Sequence, residues 1–230
     1  MKTRSFETRA ALGAALEDRL AQALTVPVAG GAGSVVMLSG GSTPIPAYLN
    51  LAQRGLRAAP GLTLLFSDDR YVPSDSDQSN YHQSRPLFDA LGLKQEQVLR
   101  IRTELPLAAA VADSEQRLAA LLAGDRRIGL GLLGLGADGH TCSLFGPQDL
   151  AHAAGRLAVA VHRPDGRDAV SVTPAVLERV DQLVFVVAGA DKRKALAALL
   201  ARDPGLTAWS AVSGCPAVEV WADAEALGDR

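Results

Sequence analysis

Residues 128–147, IGLGLLGLGADGHTCSLFGP, decide how this chain is read. The first half is a short, apolar, glycine-studded run of the kind that forms a fully buried strand. It gives way abruptly to Asp138-Gly139-His140-Thr141. A buried parallel strand that ends in a glycine-loosened loop delivers polar side chains to the carboxyl edge of a sheet, where open α/β folds keep their ligands. Asp138 and His140 are therefore the first candidates for chemistry.

The same layout recurs along the chain. Residues 34–38, SVVML, form a β-rich run stopped by Ser39-Gly40-Gly41-Ser42-Thr43, and Pro44 then opens a helix to about residue 54. A strand over 62–66 ends on Ser67-Asp68-Asp69-Arg70, and a β-branched strand over 182–188 ends at Gly189, ahead of a helix over 191–202 carrying Lys192. Between these lie an amphipathic helix over 7–24, with leucines at 12, 16, 20 and 24, a loop over 27–33, and a polar loop from 74 leading to a helix with Leu87 and Leu91. A strand over 98–101, a helix over 105–122, short alternating runs at 157–161 and 169–172, a helix from Pro174 and a last strand over 217–221 complete the chain. Strands alternating with helices predict a single α/β domain over residues 1–230, with a largely parallel sheet covered by helices on both faces. In a parallel sheet, the polar groups at 40–43, 68–70, 138–140 and 189–192 meet along one edge.

The chain has 230 residues, 48% of them hydrophobic, enough for one substantial core. A net charge of −2 gives no general attraction for nucleic acid or an anionic membrane, so any anion site must be a local cluster of basic groups. Two cysteines, Cys142 and Cys215, make no disulfide framework and fit a reducing compartment. The N-terminus lacks a secretory pattern, and no apolar run approaches the ~20 residues that span a bilayer. The expectation is a cytoplasmic protein with neither a nucleic-acid nor a membrane partner; oligomeric state is left open.

Gly40 and Gly41 allow a tight turn that aims N–H groups outward, and Ser42, Thr43 and the start of a helix add donors and a favourable dipole, which suits a phosphate. Taken alone this is equally an ordinary capped turn, and Arg70 or Lys192 alone equally a solvated surface cation. His140 is suited to proton transfer near neutral pH, with Asp138 placed to orient it. His82, His152 and His162 show no ligand spacing, and no metal is expected. Two matches to G-x-G-x-x-G, at 129–134 and 134–139, sit poorly for dinucleotide binding, because the first lies within the strand and the second is not followed by a clear helix. Ser42 as a nucleophile is a minority reading, since GGSTP lacks the second glycine of G-x-S-x-G.

The segments LSGGSTP (38–44), SDDRYVPSDSDQSN (67–80), GLGADGHTCSLFGP (134–147), SVTPAVL (171–177), VFVVAGADKRKAL (184–196) and PAVEVWAD (216–223) resemble, in order, the signatures of the 6-phosphogluconolactonase family. The resemblance implies a Rossmann-like α/β domain, no cofactor, and hydrolysis of 6-phospho-D-glucono-1,5-lactone in the oxidative pentose phosphate pathway. It further implies His140 as general base with Asp138 beside it, Arg70 and Lys192 as substrate-binding positions, and Gly40, Gly41, Ser42 and Thr43 as part of the phosphate pocket. The chain departs from the family pattern at Cys142, at Gly146, at Asp69, and at Ala169, where an arginine is common and Arg167 stands nearby. The related aminosugar-phosphate deaminase/isomerase family is less similar, with Phe145 where that family has an acid and Arg70 where it has a tyrosine. A non-catalytic sugar-phosphate sensor is the other reading, although no DNA-binding segment accompanies the domain.

Overall fold

The computed structural model describes residues 1–27 and 33–228, so most of the loop expected at 27–33 lies outside the described residues. The leucine stripe forms one face of helix α1 (Arg9–Thr25), with Leu12, Leu16, Leu20 and Leu24 all fully buried. Thr8 starts the helix by accepting the Ala11 N–H at 3.1 Å, satisfying one of the amides left unpaired in a first turn.

Seven strands make one sheet. They are β1 (Lys2–Phe6), β2 (Val35–Leu38), β3 (Thr63–Phe66), β5 (Val98–Leu99), β6 (Leu130–Leu133), β9 (Leu183–Val187) and β10 (Val218–Asp223). The order is β1-β10-β9-β6-β2-β3-β5, and every neighbouring pair is parallel. A second sheet of β4 (Asp68–Arg70), β8 (Asp168–Val172) and β7 (Ala158–His162), in the order β4-β8-β7, is antiparallel.

Alternation along the central strands sends successive side chains to opposite faces. Val36, Leu38, Leu64, Phe66, Leu130, Leu132, Val184 and Val186 meet the α1 leucines and helices α2 (Pro44–Ala52) and α3 (Asn80–Ala90). Val35, Met37, Leu65, Leu133, Phe185 and Val187 face the other way, onto the small sheet and helices α4 (Leu107–Leu121), α6 (Pro174–Leu177), α7 (Arg193–Leu200) and α8 (Thr207–Val212). Short helices α5 (Pro147–Ala153) and α9 (Ala224–Leu227) complete the elements. Gly131 has a packing role in β6: a Cβ there would lie 2.9 Å from both Leu183 and Met37 side-chain atoms.

The large parallel sheet with helices on both faces agrees with the expectation; the small antiparallel sheet is additional. Strand β1 carries no apolar alternation because it is a mostly exposed edge strand held by β10 alone. Segment 68–70 is polar yet pairs with β8. Helix α3 starts six residues into the stretch read as loop, because Ser79 caps it by accepting the His82 N–H at 3.2 Å. Replacing Leu16 with alanine is expected to lower the unfolding free energy by about 2–5 kcal/mol, measured by urea denaturation, because the site is sealed between α1 and the sheet.

Candidate active site

All the parallel strands point their carboxyl ends to one rim, and the turns that leave β2, β6 and β9 enclose a cleft of about 380 Å³. Its lining includes Gly40, Gly41, Ser42, Thr43, Arg70, His140 and Lys192, seven of the eight residues singled out in the sequence. The eighth, Asp138, stands behind His140, its Oδ1 2.6 Å from Nδ1 of the imidazole and 3.2 Å from the His140 backbone nitrogen.

The turn after β2 is built for close approach. Gly41 has φ +108°, which a side chain would strain, and a Cβ on Gly40 would fall 1.8 Å from Asn80 Oδ1. Among the described residues, the backbone N–H groups of Gly40, Gly41, Ser42 and Thr43 have no hydrogen-bond partner. They stand at the N-terminus of α2, where the dipole favours an anion. The hydroxyls of Ser42 and Thr43 accept from Arg9, at 2.9 and 3.4 Å.

Glycines also shape the loop that carries the histidine. A Cβ on Gly136 would sit 2.1 Å from His140 Nδ1 and 2.3 Å from Asp138 Oδ1, so this position must be bare for the pair to form. Gly139, at φ +89°, lies against Leu206. Burial pushes the Asp138 carboxyl up, but its bonds and attraction to His140 outweigh this and hold it below the usual carboxylate value. Asp138 is therefore an anion that fixes the proton on Nδ1 and leaves Nε2 as the basic nitrogen. The ring packs on Phe145, with centroids 4.4 Å apart.

Arg9, Arg163 and Asn80 also belong to the lining and were not read from the sequence as functional. Arg9 comes from the start of α1. Arg163, from the hairpin between β7 and β8, lies 5.2 Å from the Phe145 centroid on its guanidinium carbon and donates to Ser143 Oγ at 3.3 Å. Ser143 donates in turn to Asp68 Oδ2 at 2.6 Å. Asn80 accepts from Arg70 at 2.7 Å and donates to the Asp68 carbonyl at 2.9 Å. Arg167, by contrast, is not part of the cleft lining. Lys192 Nζ lies 3.2 Å from Asp191, just past Gly189, whose N–H is held by the Asp223 carboxylate. The Cys142 thiol lines the cleft but is pushed well above its ordinary value by burial and by Asp68, which leaves it a poor nucleophile. Among the described residues no group of three or more His, Cys, Asp and Glu side chains converges as metal ligands would, and no helix is long and apolar enough to cross a membrane.

Residues 7–225 match the family described as glucosamine-6-phosphate isomerases/6-phosphogluconolactonase. A 6-phosphogluconolactonase of Treponema pallidum is 34% identical over 191 residues, covering 77% of this chain and 79% of that protein. The human 6-phosphogluconolactonase is 32% identical over 208 residues, covering 85% and 80%. The chain belongs to the 6-phosphogluconolactonase family, within that wider superfamily. The crystal structure of the Thermotoga maritima 6-phosphogluconolactonase superposes with a TM-score of 0.78 at 25% identity, over 96% of this chain and 99% of that one. A monomeric glucosamine-6-phosphate deaminase reaches a TM-score of 0.79 at 19% identity over the whole of both chains, which establishes the shared fold alone.

One buried group ties this lactonase-family cleft to its frame. Asp69 accepts from Ser79 Oγ at 2.8 Å and from the backbone N–H groups of Asn80 and Tyr81 at 2.7 and 3.1 Å, so it anchors the start of α3 and with it Asn80. Burial pushes its carboxyl up to about 6, against those hydrogen bonds. A carboxyl raised in the native state binds its proton there first, so it favours folding at low pH and this contribution is lost as pH rises through about 4 to 6. The unfolding free energy of the wild type minus that of Asp69→Asn is expected to fall across that window, by urea denaturation at successive pH values. A flat difference would refute the raised value.

Proposed function

We propose that the chain hydrolyses 6-phospho-D-glucono-1,5-lactone to 6-phospho-D-gluconate, the second step of the oxidative pentose phosphate pathway, with His140 as general base. The observation that carries the mechanism is the 2.6 Å contact between His140 Nδ1 and Asp138, which leaves Nε2 as the proton acceptor in a cleft otherwise rich in cations and free amides. The family membership and the lactonases it contains support the substrate.

In this reading the phosphate sits on the turn of Gly40, Gly41, Ser42 and Thr43 with Lys192 beside it, and Arg70 with Asn80 holds hydroxyls of the ring. That anchorage sets the lactone carbonyl near His140 and supplies much of the rate by positioning. Water attacks C1 and gives a proton to Nε2; the tetrahedral intermediate carries its charge on the former carbonyl oxygen. Arg163, which shares the Phe145 ring with His140, is assigned to that oxyanion. The intermediate collapses as the bond from C1 to the ring oxygen breaks, the imidazolium returns its proton to the departing oxygen, and the product acid ionises. Asp138 stabilises the imidazolium between those two transfers. No protein group is covalently altered.

The geometry disfavours the alternatives. Ser42 Oγ is bonded to Arg9, and no hydrogen bond joins it to His140, so a serine nucleophile lacks its base. Phe145, not a carboxylate, packs against His140, which removes the acid expected for aminosugar-phosphate isomerisation.

His140→Ala and His140→Asn are expected to lower kcat by about 10²–10⁴-fold on freshly prepared lactone, after subtraction of spontaneous opening. Near-normal turnover by either folded variant would remove His140 from the base role, and binding of the lactone by wild type without turnover would favour a sensor. Arg163→Ala is expected to lower kcat by about 10–10³-fold with a smaller change in KM. A change confined to KM would place Arg163 in ground-state binding instead.

A further inference from the structure

The phosphate turn has a cation fixed on it that belongs to none of the strand-end segments. We infer that Arg9 is a phosphate-binding residue of this cleft, acting both directly and through the hydroxyls of Ser42 and Thr43; this rests on the lactonase reading for its substrate. Arg9 is the first residue of α1, and its Nη2 reaches across 33 residues of sequence to the Ser42 carbonyl at 2.8 Å, Ser42 Oγ at 2.9 Å and Thr43 Oγ1 at 3.4 Å.

Each of these contacts prepares the turn for an anion. A hydroxyl has one proton and two lone pairs, so Ser42 and Thr43, by accepting from Arg9, keep their protons free to donate elsewhere. The same guanidinium engages the Ser42 carbonyl, an acceptor that would otherwise repel an anion at the turn. These contacts engage Nη2 alone, which carries two of the five guanidinium N–H groups, so the three on Nη1 and Nε remain as donors for phosphate oxygens, which the planar fork matches well. Arg9 is side by side with the unpartnered N–H groups of Gly40, Gly41, Ser42 and Thr43 and lines the same cleft as Lys192. It meets no carboxylate among the ion pairs of the described residues, whereas Lys192 has Asp191 at 3.2 Å and Arg163 has Asp165 at 3.3 Å. Arg9 is thus the lining cation whose charge is least offset before a ligand arrives, along with Arg70, whose Nη1 is committed to the Gln78 carbonyl and Asn80.

The test compares 6-phosphoglucono-lactone with unphosphorylated glucono-1,5-lactone as substrates of wild type, Arg9→Ala and Arg9→Lys. Loss of a charge-assisted contact to phosphate is expected to raise KM for the phosphorylated lactone about 10–100-fold in Arg9→Ala, with kcat changed less than about threefold and Arg9→Lys intermediate. Activity on the unphosphorylated lactone is expected to stay within about twofold. Equal losses on both substrates, as a merely structural tie between α1 and α2 would give, or an unchanged KM, would overturn the inference. Calorimetry with 6-phosphogluconate and gluconate separates it from the lactonase reading. If wild type hydrolyses neither lactone, that reading fails, while weaker binding of 6-phosphogluconate alone by Arg9→Ala still supports Arg9 and undiminished binding refutes it.

Discussion

The site depends on one feature of sheet topology, the reversal beside β2. From β2 the chain adds β3 and β5 outward on one side, then returns to lay β6 on the other side and builds outward again through β9 and β10. With parallel strands and right-handed crossovers, the two directions of winding send connecting helices to opposite faces. The turn that leaves β2 for α2 and the loop that leaves β6 therefore part from each other at the rim, and a crevice between them is unavoidable. The glycine turn lies on one wall and His140 on the other. The proposed anion cradle and the proposed base thus both occupy the place where the backbone must open.

Two adjacent carboxylates then fix the walls. Asp68 and Asp69 follow β3 and enter β4, and because successive strand residues face opposite ways they serve different partners. Asp68 takes the hydroxyls of Ser67 and Ser143, which ties the loop after His140 to the small sheet. Asp69 takes the first turn of α3 and so sets Asn80, whose side chain touches Arg70 and leaves no room for a Cβ at Gly40. Both groups are almost wholly buried, where a carboxylate is stable only with several donors. Their polar character made this segment look like loop, yet it is the joint between the two sheets.

What could be read in the sequence follows from locality. Each strand end with its glycine turn is a contiguous segment, so Gly40 to Thr43, Arg70, Asp138, His140 and Lys192 announced themselves. Arg163 and Asn80 come to the cleft from the hairpin between β7 and β8 and from the first turn of α3, through tertiary contacts that no local pattern specifies. Arg9 was legible in principle. Had Lys2–Phe6 been recognised as a parallel strand, the helix that follows would have had to begin at the same rim, with Thr8 as cap and Arg9 next to it. The polar edge strand hid that inference, because the exposed faces of KTRSF carry no alternation to detect.

A net charge of −2 by itself offers an anionic substrate no attraction, and the location of the charges resolves this. The cleft is lined by Arg9, Arg70, Arg163 and Lys192 against Asp68 and Asp191, so the rim is locally cationic while the whole chain is not. A low-dielectric cleft concentrates that field. Each cation already has a neutral or anionic partner: hydroxyls for Arg9, amide oxygens for Arg70, carboxylates for Arg163 and Lys192. The side chains are thereby oriented before a ligand arrives, which reduces the ordering cost of binding. The arrangement also divides the labour in space, since Arg9 is attached to the turn after β2 and Arg163 to the ring that supports His140. Cations held at the two walls of one crevice can grip the two ends of a single small molecule, which is what a phosphorylated lactone presents: a dianion at one end and a carbonyl about to become an oxyanion at the other.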